Sequence, residues 1–133
     1  MTMVSGLALP QWMRRTLLVT AALNAFGACM MAPPTGGRLR LLAGLPEGEH
    51  LYMWIVAAFV LIFAAAYLAA GLAGRADTLF IAVGAAGIIA FSVLLVVYWT
   101  IGVLPWRAPV LGSSDLVLGG LFCVWLCRRP TTG

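Results

Sequence analysis

Charged residues are scarce in this 133-residue chain, and lysine is absent. Only 9% of the residues are charged and 63% are hydrophobic, whereas soluble domains carry about a quarter charged residues. The eight basic residues are all arginines that stand singly or in pairs beside apolar runs, so the net charge of +4 indicates membrane topology and gives no support to nucleic-acid binding. The composition therefore predicts an integral membrane protein whose main partner is the lipid bilayer.

Histidine and cysteine are also rare, which limits the chemistry. His50 is the only histidine, so bis-histidine haem ligation is excluded. Cys123 and Cys127 lie one helical turn apart, but two ligands do not complete a zinc site, and with Cys29 they are expected to be small apolar filler. The chain has no HExxH motif, no phosphate-binding glycine loop and no Gly-x-Ser-x-Gly elbow. We predict no metal site and no catalytic residue, and a non-enzymatic role is favoured.

The chain is instead rich in long apolar runs. The longest stretch without a charge covers residues 78–106, and about 20 helical residues cross a hydrocarbon core. We expect a single domain, residues 1–133, that forms an all-α four-helix bundle in the membrane. An outer loop at residues 33–50 is predicted to contain a short interfacial helix. The four helices are predicted at residues 16–32, 51–72, 79–101 and 114–127, the last one beginning near Ser113 or Ser114.

Small residues recur every four positions on two of these helices. Such faces let helix backbones approach closely in lipid, so we expect packing there, within the bundle, between copies of the chain, or in a larger membrane complex. The short turn at residues 74–77 predicts that the second and third helices are antiparallel neighbours. The two sets of small residues are Ala82, Ala86 and Ala90, and Ala66, Ala70 and Gly74.

The arginines predict the orientation of the bundle. Five lie in the N-terminal tail, the 74–77 turn and the C-terminus, and three lie in the two longer loops. Because arginine-rich flanks stay in the cytoplasm, both termini are expected there, in a bacterial inner membrane. An alternative is a lipoprotein signal peptide, since Arg14-Arg15, an apolar run and Phe26-Gly-Ala-Cys29 would leave Cys29 as a lipidated N-terminus after cleavage. Asn24 and Phe26 fit that pattern poorly.

Polar side chains gather at the predicted outer ends of the last three helices. We expect a ligand-binding or proton-carrying pocket with Asp115 at its floor, paired with Arg107 or His50, because ionisable groups inside a membrane are usually functional. The alternative is an interfacial belt in which Asp115 only begins the fourth helix, where the helix dipole favours an acid. The candidate residues are Glu49, His50, Tyr52, Tyr98, Trp99, Arg107 and Asp115.

Asn24 stands apart from this set. It falls in the middle of the first predicted helix, where an amide needs a partner because no water is available. Ser92 lies at a matching depth in the third predicted helix. The sequence therefore predicts a hydrogen bond between Asn24 and Ser92 across the bundle, with a ligand-facing amide as the alternative.

Four short motifs carry a resemblance to a known group. They are Asn24-Ala-Phe-Gly, Met31-Ala-Pro-Pro, Tyr98-Trp99-x-x-Gly-x-Leu-Pro105 and Gly112-x-x-Asp115-Leu. Together with the helix order they resemble small four-helix bacterial membrane proteins of the DoxX-like group. The resemblance implies an accessory role in quinone-coupled redox metabolism, with quinone as the cofactor.

These observations predict a small integral membrane protein that is accessory or binds a small apolar ligand through a polar pocket at its outer face. Two alternatives remain open. One is a proton- or substrate-coupled transporter that uses Asp115 and His50, and the other is a membrane subunit that packs in a larger complex through its alanine and glycine faces.

Overall fold

The computed structural model describes residues 6–128 as five α-helices and one short antiparallel sheet. The elements in chain order are β1 (Leu7–Ala8), α1 (Gln11–Met31), α2 (Pro33–Ala43), α3 (His50–Ala73), β2 (Arg75–Ala76), α4 (Thr78–Thr100) and α5 (Arg107–Arg128). In this part of the chain, α3, α4 and α5 are long and apolar enough to cross a membrane. The prediction of a helical chain with membrane-spanning segments is confirmed to this extent, and a crossing by α1 stays a prediction.

The four long helices pack as two antiparallel pairs, α1 with α3 and α4 with α5. On α3, three small residues seven positions apart, Ala57, Ala64 and Gly71, are buried, which is the spacing of a left-handed helix–helix seam. A side chain at Gly71 would collide with Leu18 of α1. The α3 backbone therefore lies close to α1, which allows many dispersion contacts between the two helices.

The second pair is built in the same way. The buried residues of α4 include Ile81, Ala85, Ile88, Ser92 and Leu95, whose spacing alternates between four and three. Facing them on α5 are two glycines, Gly112 against Leu95 and Gly119 against Ile88 and Ile89. The small face predicted for helix packing lies elsewhere, because Ala86 and Ala90 are exposed and Ala82 is half-buried. The Ala86 and Ala90 side chains therefore lie on the outer surface of the molecule.

Residues 6–10 close one end of the molecule, which we call the base. Here β1 pairs with β2 in antiparallel register. Leu9 N donates to Gly74 O at 2.9 Å, and Arg75 Nε donates to Gly6 O at 3.0 Å. Residues 6–9 are thus held against the turn between α3 and α4.

Arg14 also belongs to the base. Helix α1 begins five residues earlier than predicted, so Arg14 lies within the helix and not before it. Its Nε donates to Gly71 O at 3.1 Å and its Nη2 to Leu72 O at 3.3 Å, where a cation is favoured by the C-terminal end of a helix dipole. Arg129, one of the five arginines used to predict orientation, lies outside the described residues.

The opposite end, which we call the α2 end, contains the predicted short helix in a longer form. Pro33 and Pro34 begin α2, because proline suits the first turn of a helix where its missing N–H is not needed. The helix ends at Gly44, whose φ of 72° is left-handed and whose Cα faces the ring of Pro105. A side chain at that position would be strained by the backbone and would collide with the α4–α5 connection. Glycine is therefore required where α2 meets that loop.

Candidate functional site

The two helix pairs separate toward the α2 end and leave a space between them, which we call the cavity. Its volume is about 430 Å³, and all four long helices line it. Most of the lining is apolar, with a few polar groups, which is the usual character of a small-molecule site. The aromatic side chains in the lining are Phe26, Phe59, Phe63, Tyr67 and Phe91.

Tyr67 forms the floor of the cavity on the side of the base. Its side chain is 1% exposed, and its ring packs against Phe63, Phe80 and Phe122 at centroid distances of 6.0, 5.3 and 5.7 Å. Gly84 of α4 faces the tyrosine so closely that a Cβ there would collide with the hydroxyl and the ring. Beneath this layer the side chains of Met13, Leu17 and Ile81 are fully buried. Dense packing therefore closes the cavity at its base.

Four polar side chains line the cavity: Asn24 of α1, Tyr67 of α3, and Ser114 and Asp115 of α5. Ser114 is already bonded to Leu111 O within its own helix. Within residues 6–128 the Asn24 amide, the Asp115 carboxylate and the Tyr67 hydroxyl form no hydrogen bond or ion pair with another protein group. Polar groups held away from water normally have hydrogen-bond partners. Three unpaired groups around one apolar space are the arrangement expected where a ligand supplies the partners.

The position of Asp115 differs from the prediction. Helix α5 begins at Arg107, seven residues before the predicted start, and accommodates Pro109 in its first turn. Asp115 therefore lies eight residues, or about 12 Å, inside the helix and close to its midpoint. The predicted caps are wrong, because Ser113 and Ser114 donate to Val110 O and Leu111 O within the helix. Asp115 is an interior acid and not a helix-start acid.

The structure does not bring the other predicted outer residues to Asp115. Glu49, His50, Tyr52, Tyr98 and Trp99 are exposed and do not line the cavity. The position of a residue in the sequence predicts its depth along the helix, but it does not predict which way the helix is rotated about its axis. The side chains of these residues point away from the helix interfaces. The single polar pocket predicted from these residues and Asp115 is not formed.

Arg107 lies in a neighbouring groove of about 350 Å³ between α2, α1 and α5. Its Nη1 is 3.5 Å from Leu42 O, and Trp106 lines the groove beside it. Phe26, Met30 and Leu111 line both the groove and the cavity and so separate them. Arg107 therefore does not supply the charge that was expected to pair with Asp115.

The predicted hydrogen bond between Asn24 and Ser92 is wrong. Ser92 Oγ is 3.1 Å from Ile88 O in its own helix and 3.0 Å from Gly112 O in α5, so it joins α4 to α5. Asn24 faces the cavity, which was the alternative interpretation of this residue. The pairing failed because α1 packs against α3, so its amide does not meet the α4–α5 seam.

Tyr67 was missed by the sequence analysis, although a signal was present. A tyrosine at a membrane interface lies near a helix end, whereas Tyr67 lies six residues before the end of α3. A tyrosine so far inside an apolar run predicts a side chain that faces the interior of the bundle and not the membrane interface. No group of three histidine, cysteine or acidic side chains that could hold a metal ion occurs among residues 6–128.

Comparisons with family models, with curated proteins and with solved structures give no match. The resemblance to the DoxX-like group and the quinone that it implies therefore stay predictions. The interpretation of the cavity rests on its own geometry.

Proposed function

We propose that this chain is a small multi-pass membrane protein that binds a small apolar or amphiphilic molecule in the cavity between its two helix pairs. The observation that carries the proposal is the combination of aromatic walls with three polar groups, Asn24, Tyr67 and Asp115, that have no hydrogen-bond partner within residues 6–128. A molecule with an apolar body and one polar group would fill the space and satisfy them. An accessory, non-enzymatic role agrees with this arrangement.

The route into the cavity passes between α3 and α4. Phe59, Val83 and Phe91 line the cavity and are also exposed at the outer surface of the molecule, Phe59 by 62%. In a bilayer these side chains would meet acyl chains, because α3 and α4 are both apolar enough to span it. A ligand dissolved in the membrane would therefore enter sideways, without crossing the aqueous phase.

Two glycines allow a direct test of the cavity. A side chain at Gly87 would meet no atom within 4 Å and would extend into the cavity, whereas Gly120 offers the same open space on a surface that does not line it. We expect the wild type and Gly120→Phe, reconstituted in lipid nanodiscs, to retain a co-purified small molecule in native mass spectrometry. Gly87→Phe should lose it. Identical spectra for the three proteins, or no retained molecule in any of them, would contradict the proposal.

The proposed orientation places the base in the cytoplasm and the α2 end outside, in a bacterial inner membrane, with α1 crossing beside α3. Its support is the charge at the two ends, since Arg14, Arg15, Arg75 and Arg128 lie toward the base, whereas the arginines of the α2 end are accompanied by Glu47 and Glu49. In a background with the three cysteines changed to serine, Gly48→Cys should react with an impermeant maleimide on intact cells. Arg75→Cys should react only after lysis, and the reverse pattern would invert the topology.

Transport is less well supported than binding. A transport path has to open on both sides of the membrane, and the layer of Tyr67, Phe63, Phe80 and Phe122 closes the cavity at the base. His50, the predicted proton carrier, lies outside the cavity. We therefore prefer ligand binding to coupled transport as the proposed function.

A second candidate role is that of a subunit in a homo-oligomer or a larger membrane complex. It is favoured by one observation, the exposed position of Ala86 and Ala90 on the outer face of α4, where another helix could approach closely. In the cysteine-free background, Ala86→Cys should cross-link between chains in native membranes. Val96→Cys, which is exposed on a different face of α4, is the control, and equal cross-linking of the two would argue against a specific contact.

A further inference from the structure

We propose that the molecule bound in the cavity is an organic cation, with an apolar body and one positive charge that Asp115 neutralises. This inference names the ligand class and so rests on the function proposed above. It starts from the charges in the lining, which contains one carboxylate and no arginine or histidine.

Asp115 lacks a protein counter-charge in the part of the chain that is described. It forms no ion pair within residues 6–128, and the nearest arginine in sequence, Arg107, lies in the separate groove with its guanidinium at Leu42 O. A charged carboxylate near the middle of an apolar helix is costly unless it takes up a proton or a positive charge accompanies it. A cationic ligand supplies that charge from the membrane.

The walls of the cavity favour a cation independently of the acid. Aromatic rings from α1, α3 and α4 surround the space, namely Phe26, Phe59, Phe63, Tyr67 and Phe91. The face of an aromatic ring attracts a cation, and the attraction strengthens when water is excluded. An anion would be repelled by the Asp115 carboxylate, whereas a cation is attracted both by the carboxylate and by the faces of the rings.

Two probes of the same shape and opposite charge test the inference. Tetraphenylphosphonium and tetraphenylborate would be titrated by equilibrium dialysis against the full-length protein in phosphatidylcholine nanodiscs, with empty nanodiscs subtracted. We expect the phosphonium to bind the wild type about tenfold or more tightly than the borate. Tight binding of the borate, or no binding of the phosphonium, would overturn the inference without the need for any variant.

Variants then assign the preference to Asp115. Asp115→Asn should weaken phosphonium binding about tenfold or more, and Asp115→Glu, which keeps the charge, should preserve the preference and show that the site tolerates substitution. Asp77→Asn is the matched control, because Asp77 caps α4 at the base by accepting from Leu79 N at 2.7 Å and asparagine caps a helix equally well. Phosphonium binding that is unchanged in Asp115→Asn would overturn the role of the carboxylate.

The two proposals fail in different ways. If both probes bind the wild type equally, and Gly87→Phe abolishes their binding while Gly120→Phe does not, the cavity remains the binding site and only the cation assignment is wrong. If Gly87→Phe affects neither the probes nor the co-purified molecule, the cavity itself is not the site.

Discussion

The base and the cavity are built from the same four helices but treat their polar groups in opposite ways. At the base, Arg14 donates to two carbonyl groups near the end of α3, Arg75 donates to Gly6 O, and Asp77 accepts from Leu79 N at the start of α4. In the cavity, Asn24 and Asp115 have no such partner among the described residues. This difference supports a structural role for the base and the proposed binding role for the cavity, because the polar groups of the cavity are at least half-buried and lack a protein partner within residues 6–128.

The largest expected effect on stability comes from Tyr67, which lies at the boundary between the base and the cavity. Tyr67→Ala should lower the free energy of unfolding by about 3 kcal/mol, because the buried ring fills the space between three phenylalanines. Tyr98→Ala is the control, since Tyr98 is 46% exposed and should change it by less than about 0.5 kcal/mol. Thermal and denaturant unfolding in detergent micelles would measure both, and similar losses would mean that the floor is not a packed layer.

A pair of glycines on α4 provides the next test. Gly84→Ala should cost about 1–3 kcal/mol because the added methyl group overlaps Tyr67 and overpacks the floor. Gly87→Ala, three residues further along the same helix, meets no atom within 4 Å and should be neutral or stabilising by up to about 1 kcal/mol. Unfolding of both variants under the same conditions gives the comparison. A tolerated Gly84→Ala would show that Tyr67 moves freely.

Two neighbouring arginines test the fastening of the base. Arg14→Gln should cost about 1 kcal/mol, since it removes a cation from the C-terminal end of α3 together with bonds to Gly71 O and Leu72 O. Arg15 is exposed and makes no hydrogen bond within residues 6–128, so Arg15→Gln should be nearly silent. Equal losses in thermal unfolding would assign the effect to total charge and not to this contact.

The smallest effects compare a polar group that the fold uses with one that it does not. Ser92→Ala should cost about 0.6 kcal/mol through the lost bond to Gly112 O between α4 and α5. Asn24→Leu should change the free energy of unfolding by less than about 0.5 kcal/mol, or should stabilise the empty protein, because its amide has no partner to lose. A clear destabilisation by Asn24→Leu would restore the idea of a structural bond.

Apolar length predicted the two central helices well and the outer two poorly. The segments predicted at residues 51–72 and 79–101 match α3 and α4 closely. Helices α1 and α5 begin earlier than predicted, because Arg14, Arg107 and Pro109 are compatible with a first helical turn although they are not apolar. Hydropathy marks the part of a helix that suits lipid, and a helix continues beyond that part.

The rotation of the helices was the least predictable feature. Ala82, Ala86 and Ala90 formed a convincing face, yet the seam of α4 is built on Ala85, Ile88 and Ser92. A soluble helix reveals its buried face by contrast with a polar one, but a helix in lipid is apolar on all sides. The same lack of contrast hid the direction of Tyr98 and Trp99. Asp115 could be singled out from the sequence because an acid in an apolar helix has few explanations.

The pairing of β1 with β2 also has a consequence for the order of synthesis. Strand β1 lies at the start of the chain and β2 about 70 residues later, which corresponds to roughly 4–14 s at ribosomal rates. During this interval α1, which carries two arginines, can neither pack against the whole of α3 nor be held by the pairing of β1 with β2. Once residue 76 has emerged, both can form before α4 has emerged. The α1–α3 wall of the cavity can therefore form before the α4–α5 wall, and the α4–α5 hairpin would then pack beside an assembled pair.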